Sequence, residues 1–111
     1  MYQYGRGVKQ DDAEAVKWFR QAAAQGNAFG QNNLGWMYQY GRGVKQDDAE
    51  AVKWFRQAAA QGNAFGQNNL GWMYQYGRGV KQDDAEAVKW YRQAAAQGNA
   101  DAKNNLRRLG R

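Results

Sequence analysis

The sequence predicts an all-α fold, a solenoid of repeated helix-turn-helix hairpins. Residues 1–36 and 37–72 are identical, and residues 73–108 repeat them with six changes. A fixed period of 36 residues is typical of solenoids, in which each unit covers the apolar face of its neighbour. Each unit also contains two segments of helical apolar periodicity separated by glycine turns. The six changes are Tyr91 for Phe55, Asp101 for Phe65, Ala102 for Gly66, Lys103 for Gln67, Arg107 for Gly71 and Arg108 for Trp72.

The first helix of a unit is predicted over residues 12–25. Asp11 is a suitable N-cap, Glu14 completes a capping-box pattern three residues later, and Gly26 supplies a left-handed stop. At 100° per residue the apolar side chains share one arc and the charged side chains occupy the other, as in a helix that packs on one face. The apolar arc contains Ala15, Val16, Trp18, Phe19, Ala22 and Ala23.

The second helix is predicted over residues 28–40, with Asn27 as its N-cap and Gly41 as its end. Its helical wheel shows two apolar stripes instead of one. Leu34 and Tyr38 mark the stripe that faces the partner helix of the same hairpin, with Gly35 beside them as a point of close approach. The opposite stripe must face a neighbouring repeat, a groove or another chain. It contains Phe29, Asn32, Trp36 and Tyr40.

Residues 41–47 (GRGVKQD) connect one hairpin to the next and contain two glycines. A phosphate-binding loop is a weak alternative, because no strand precedes this segment and the full G-x-G-x-x-G pattern is absent. We therefore expect a plain helix–helix connection.

The whole chain, residues 1–111, is expected to form a single repeat domain with a polar C-terminal cap over residues 101–111. Residues 1–4 match the end of a second-type helix and predict a short helical stub. Terminal repeats need a polar outer face, and only the C-terminal end has one. The predicted helices after the stub are 12–25, 28–40, 48–61, 64–76, 84–97 and 100–109.

The composition excludes most catalytic chemistry. The chain has no Ser, Thr, Cys or His, so triad-type nucleophiles and the usual zinc, copper and haem ligands are absent. The paired aspartates at 11–12 and their copies are explained by helix capping and the helix dipole. We expect no catalytic site, no metal and no cofactor. No membrane-spanning or targeting segment is recognisable, and the sequence does not indicate a compartment.

The text NNLGWMYQYGRGVKQDDAEAVKWFRQAAAQGNA resembles the Sel-one-like repeat, a relative of the tetratricopeptide repeat. The resemblance implies a right-handed α/α superhelix, with the second-type helices on its concave side, in a family of non-catalytic adaptors and scaffolds. By analogy with tetratricopeptide grooves, the concave lining would be Phe29, Asn32, Trp36, Gln39, Tyr40, Phe65, Asn68, Trp72, Gln75, Tyr76, Asn104 and Arg108. The matching positions are Leu34, Gly35, Tyr38, Gly41, Gly43, Val44, Ala49, Ala51, Trp54, Phe55, Ala58, Ala59 and Gly62.

These residues favour a protein or peptide partner of unknown identity. Aromatic side chains are enriched at binding hot spots, and a ladder of Asn32, Asn68 and Asn104 offers donors and acceptors to a peptide backbone. Arg108 is placed to bind an acidic side chain or a carboxyl terminus. The simpler alternative is that the rings only pack repeat against repeat.

Three further hypotheses remain open. The net charge of +6 and the aromatic rings allow single-stranded nucleic acid or an acidic partner. Each of the first two units has only four basic and three acidic residues, however, so nucleic acid is the weaker hypothesis. Homo-oligomerisation could use the groove or the uncapped N-terminal edge at Trp18 and Phe19. The identity of the first two units indicates an engineered consensus array or a very recent duplication.

Overall fold

The computed structural model describes the backbone of residues 8–110 and the side chains of residues 12–110. Within that range the chain forms six α-helices and no strand, so the predicted all-α fold is confirmed. Each helix packs chiefly on its sequence neighbours, as in an α/α superhelix. None of these helices is long and apolar enough to cross a membrane. They are α1 (Val8–Ala24), α2 (Ala28–Tyr40), α3 (Asp48–Ala60), α4 (Ala64–Tyr76), α5 (Asp84–Ala96) and α6 (Ala100–Arg108).

The start of α1 differs from the prediction. The helix begins at Val8, so Asp11 lies inside it and the predicted N-cap at Asp11 is wrong. In α3 the equivalent Asp47 is the N-cap, and its backbone N–H donates to the Tyr38 carbonyl at 2.9 Å. That bond holds the segment before α3 in an extended conformation. The residue that would supply it to α1, Tyr2, lies outside the described residues, as does the predicted stub at 1–4.

The ends of the other helices follow their local capping residues. Asn27 and Asn63 accept from the backbone N–H of Gly30 and Gly66, both at 2.7 Å, and Gly41 ends α2 in the left-handed region at φ 65°. The predicted bounds of α2 and α4 are therefore confirmed, whereas α1, α3, α5 and α6 each end one residue earlier than predicted. At α3 the carboxylate of Asp47 accepts from Glu50 N–H at 3.1 Å, so a side-chain cap is present there.

Glycines on the second-type helices determine how closely successive helices approach. The rings of Phe55 and Tyr91 are fully buried. A Cβ placed on Gly35 would lie 2.7 Å from the Phe55 ring, and one on Gly71 would lie 2.8 Å from the Tyr91 ring. Each ring therefore lies against bare backbone of the preceding helix. This contact brings α3 onto α2 and α5 onto α4, and Phe55 and Tyr91 are the only aromatic side chains among the buried apolar residues of the described range.

A glutamine network that the sequence analysis did not predict links neighbouring repeats. Gln31 and Gln67 are buried, each with 3% of its surface exposed. The Nε2 of Gln61 donates to Oε1 of Gln31 at 2.7 Å, and the Nε2 of Gln97 donates to Oε1 of Gln67 at 3.0 Å. Because buried amides are costly unless hydrogen-bonded, these bonds favour one stacking geometry over shifted ones.

Residues 41–47 connect α2 to α3 and are held against α1. Arg42 Nε donates to the Asp12 carboxylate at 2.8 Å, and Arg78 repeats the bond to Asp48 at 2.7 Å. Gly43 has φ 75°, and a Cβ there would lie 2.5 Å from the Asp12 carbonyl oxygen. The glycines of this segment thus serve packing and turn geometry, which agrees with the predicted helix–helix connection.

The two ring positions of the core differ by one hydroxyl group. Tyr91 OH donates to Oε1 of Gln75 at 2.6 Å, whereas Phe55 has no hydroxyl to offer the equivalent Gln39, which is buried. Burial raises the pKa of Tyr91 well above its ordinary value of 10. The hydroxyl therefore stays protonated and remains a donor in the neutral range.

We expect Tyr91→Phe to lower the free energy of unfolding by about 1 kcal/mol, because it removes one hydrogen bond and leaves the Gln75 oxygen without that donor. The matched change Phe55→Tyr should raise it by up to about 1 kcal/mol, since the new hydroxyl would find Gln39 in the same place. Urea unfolding at neutral pH, followed by circular dichroism, measures both.

The pH dependence provides a second readout for Tyr91. The folded-state pKa lies above the unfolded value, so the contribution of Tyr91 is complete below about pH 10 and decreases as pH rises through the raised pKa. The wild-type protein should therefore lose more stability than Tyr91→Phe as the pH rises from about 9.5 to about 11.5. Parallel loss in the two proteins would contradict the buried phenol.

Candidate protein-interaction surface

The second-type helices α2, α4 and α6 lie side by side. Asn69 Nδ2 donates to Oδ1 of Asn32 at 2.8 Å, and Asn105 Nδ2 donates to Oδ1 of Asn68 at 3.0 Å. These bonds join α2 to α4 and α4 to α6 directly. Asn69 and Asn105 are not among the residues predicted from the sequence, although the repeated Asn-Asn dipeptide is a visible signal. The three helices thus form one continuous layer.

Six aromatic side chains lie along one stripe of α2 and α4, although Trp72 also packs against the buried core. We call them the aromatic face: Phe29, Trp36, Tyr40, Phe65, Trp72 and Tyr76. Five of the six are exposed, and Trp72 is half-buried. Trp36 and Tyr40 lie with ring centroids 4.9 Å apart, and Trp72 and Tyr76 at 4.8 Å. The exposed fractions are 64% for Phe29, 39% for Trp36, 55% for Tyr40, 61% for Phe65 and 53% for Tyr76.

Two arginines orient the tryptophans of the aromatic face. The guanidinium of Arg42 lies 5.6 Å from the Trp36 ring centroid, and that of Arg78 lies 5.7 Å from the Trp72 ring. Their hydrogen bonds to Asp12 and Asp48 hold them in place, and the bond to Asp48 raises the pKa of Arg78 further. Each tryptophan therefore rests against a fixed, charge-paired cation, with a cation–π contribution.

The predicted asparagine ladder lies beside the aromatic face, but part of it is already used. The Oδ1 atoms of Asn32 and Asn68 accept from the next helix, and that of Asn104 accepts from Arg107 at 2.9 Å. Among the described residues, the Nδ2 groups of Asn32 and Asn68 donate to no other group by hydrogen-bond geometry. The ladder therefore presents donors to a partner rather than donors and acceptors.

Two of the predicted residues do not lie on the open surface. Gln39 is buried, with 6% of its surface exposed. Gln75 is half-buried and accepts the hydrogen bond of Tyr91. Both lie on the side of the helix that meets the following repeat, which the analogy with other grooves did not reveal.

On α6 the positions of the aromatic face carry charge. Asp101 stands where Phe65 stands on α4, and Arg108 stands where Trp72 stands. Both side chains are exposed, as are Lys103 and Arg107. The layer therefore changes along its length from aromatic on α2 and α4 to charged on α6.

The first-type helices carry a different set of tryptophans. Trp18 is 63% exposed, whereas Trp54 and Trp90 are half-buried against the apolar core of the preceding repeat. The Nε1 atoms of Trp54 and Trp90 are buried without a hydrogen-bond partner among the described residues. Trp54 lines an open cleft of about 710 Å³ between repeats, and Trp90 lines an equivalent cleft of about 670 Å³. Both clefts are lined by basic and acidic side chains together.

Comparison with known proteins places the chain in a family. The family model for the Sel1 repeat matches residues 1–27, 28–63 and 64–99, so its complete units begin at Ala28 and Ala64. No curated protein sequence matches the chain.

Three solved structures share the fold. A protective antigen of uropathogenic Escherichia coli strains with an SLR fold is 51% identical, with a TM-score of 0.85 over 92% of this chain and 22% of that one. A Sel1 repeat protein from Oxalobacter formigenes is 45% identical, with a TM-score of 0.82 over 93% of this chain and 77% of that protein. Helicobacter pylori cysteine-rich protein B is 27% identical, with a TM-score of 0.77 over 82% of this chain and 68% of that protein. The chain spans about a fifth of the antigen's length. By its repeats and its structure, this chain belongs to the Sel1 repeat family.

Proposed function

We propose that the chain is a non-catalytic scaffold that binds an extended segment of a partner protein in a concave groove lined by the aromatic face. The family in general forms protein–protein interaction scaffolds. The observation that carries the proposal for this chain is the exposure of five aromatic rings on one side of α2 and α4. Exposed apolar patches that are fixed in place are typical of interaction sites.

The surroundings of the rings support binding rather than simple exposure. Trp36 and Trp72 are pinned by Arg42 and Arg78, so little side-chain entropy would be lost when a partner contacts them. Aromatic residues dominate the binding energy of many interfaces. The Nδ2 groups of Asn32 and Asn68 would donate to backbone carbonyls of an extended peptide lying beside the rings.

Single-stranded nucleic acid fits this surface less well. Aromatic rings can stack with bases, but nucleic-acid binding also needs cations along the path of the phosphates. The arginines beside Trp36 and Trp72 are already paired with Asp12 and Asp48. Within the layer, the basic side chains lie on α6, and no carboxylate of the described residues is paired with them. This local concentration of positive charge favours a protein partner with a local acidic group.

The test uses peptides selected from a random dodecapeptide library and then resynthesised for titration. We expect the double change Trp36→Ala with Trp72→Ala to weaken them at least about tenfold, since hot-spot truncations cost about 2 kcal/mol or more. Trp18→Ala is the matched control, because this exposed tryptophan lies outside the aromatic face. Equal affinity for wild type and the double variant would overturn the proposal. A single-stranded oligonucleotide that competes at low salt only would favour the alternative.

Self-association is a finer proposal that the exposed Trp18 supports. Sedimentation from micromolar to millimolar concentration tests it. A dimer lost in Trp18→Ala would assign contact to the N-terminal edge, and one lost in the Trp36/Trp72 double variant would assign it to the groove. A monomer throughout would end the idea.

The identity of residues 1–36 and 37–72 supports a further proposal, that the array is engineered or recently duplicated. Residues 101–111 would then act as its polar cap. In such an array the binding elements repeat at equal spacing, so a partner with repeated apolar residues would suit the groove.

A further inference from the structure

We propose that the groove selects an extended peptide in which two apolar side chains three residues apart are followed, three residues further on, by an acidic side chain that binds at α6. This inference rests on the proposed function and adds the chemistry and order of the partner residues. It follows from the change along the layer, where Trp36 on α2 and Trp72 on α4 are succeeded by Arg108 on α6.

The spacing comes from helix packing. Helices in direct contact have axes about 8–10 Å apart, and α2, α4 and α6 are joined in sequence by Asn–Asn hydrogen bonds. A peptide in the polyproline II conformation advances about 3.1 Å per residue with three residues per turn, so every third side chain lies on the same face and recurs about every 9 Å. Side chains at the first, fourth and seventh positions of such a peptide crossing the layer would therefore meet α2, α4 and α6 in turn.

The acidic end follows from the charges of α6. Arg108 is exposed, and its one hydrogen bond to a described residue is a weak one to Oδ1 of Asn105 at 3.4 Å. No carboxylate of residues 12–110 forms an ion pair with it. A carboxylate brought over Arg108 would thus gain a two-pronged contact without breaking an existing ion pair. Lys103 and Arg107 on the same helix add to the positive field.

Asp101 limits where the acid can bind. Asp101 is the copy of Phe65 in the following repeat, on α6. It precedes Arg108 by seven residues, so the two residues lie about 10 Å apart along the helix axis. A peptide on the row of Phe29 and Phe65 would meet Asp101 and be repelled if acidic. A peptide on the row of Trp36 and Trp72 meets Arg108, so the acidic residue belongs to the tryptophan row.

The probes are acetylated and amidated heptapeptides with phenylalanine at the first and fourth positions, alanine elsewhere, and glutamate, glutamine or lysine at the last position. A fourth peptide has phenylalanine at both ends and glutamate in the centre, which would place the acid on Trp72. Titration at low salt follows the intrinsic tryptophan fluorescence. The protein variants are Arg108→Glu and, as a matched control on the same helix, Asp101→Asn. Both residues are exposed, and circular dichroism checks that the helices are retained.

We expect the peptide that ends in glutamate to bind about tenfold more tightly than the one that ends in lysine, and more tightly than the peptide with central glutamate. Arg108→Glu should reverse the preference, and Asp101→Asn should leave it in place. If all four peptides bind equally and all are lost in the Trp36/Trp72 double variant, this inference is overturned while the groove itself stands. No binding of any heptapeptide at millimolar concentration also overturns it, and the library selection then decides the proposed function separately.

Discussion

Gly71→Leu is expected to lower the free energy of unfolding by about 3 kcal/mol or more. The position has no room, because even a Cβ there would lie 2.8 Å from the Tyr91 ring and 3.1 Å from the Ala87 carbonyl oxygen. The ring is fully buried and the carbonyl belongs to the backbone, so neither can move without separating α4 from α5. Overpacking of a filled core commonly costs about 1–3 kcal/mol, and a whole isobutyl group exceeds the usual case. Leucine favours helix more than glycine does, by under about 1 kcal/mol, and cannot compensate.

The matched control is Arg107→Leu, which places the same residue at the same repeat position on α6. That side chain is exposed in the described structure, so the change should stay within about 0.5 kcal/mol. Guanidinium unfolding of the two variants beside wild type gives the comparison. Equal stability of Gly71→Leu and Arg107→Leu would show that α4 and α5 do not pack as described.

Trp54→Ala and Trp90→Ala should each cost about 2–3 kcal/mol, whereas Trp18→Ala should cost less than about 0.5 kcal/mol. The three residues occupy the same position in the repeat. Trp54 and Trp90 are half-buried against the core of the preceding repeat, and Trp18 is mostly exposed. Replacing a fully buried tryptophan with alanine lowers the free energy of unfolding by about 3–5 kcal/mol, and replacing a half-buried one lowers it by less.

The same unfolding measurements test this second prediction, with Trp54→Phe as an added variant. Phenylalanine keeps much of the ring and removes a buried Nε1 that has no partner among the described residues, so it should cost under about 1 kcal/mol. A large loss in Trp18→Ala, equal to that in Trp54→Ala, would contradict the burial difference between repeats.

Most helix ends could be predicted because their causes are local. Asn27 with its Gly30 N–H and Gly41 with its positive φ lie within a turn of the ends they define. Asp11 failed as a cap because the extended conformation seen before Asp47 depends on a bond to Tyr38 in another helix. Identical local sequence therefore did not lead to an identical helix start.

The candidate surface could also be predicted where local periodicity determines it, and not where contacts between repeats do. The helical wheel placed Phe29, Trp36 and Tyr40 on one stripe, and the structure finds them exposed together. It could not show that Gln39, beside that stripe, is buried. Nor could the wheel show that Asn69 Nδ2 donates a hydrogen bond to Oδ1 of Asn32, because that bond joins residues 37 positions apart.

Over residues 8–110 the sequence by itself determined the number of helices, most of their ends and the side of α2 and α4 that carries the rings, since capping and helical periodicity act within a few residues. Only the tertiary structure decided which copy of a repeated residue is buried. Trp18 and Trp54 have the same neighbours in sequence, yet one is open and the other covered. Burial depends on the helix that packs alongside, and that partner is supplied by stacking rather than by the residue's own repeat.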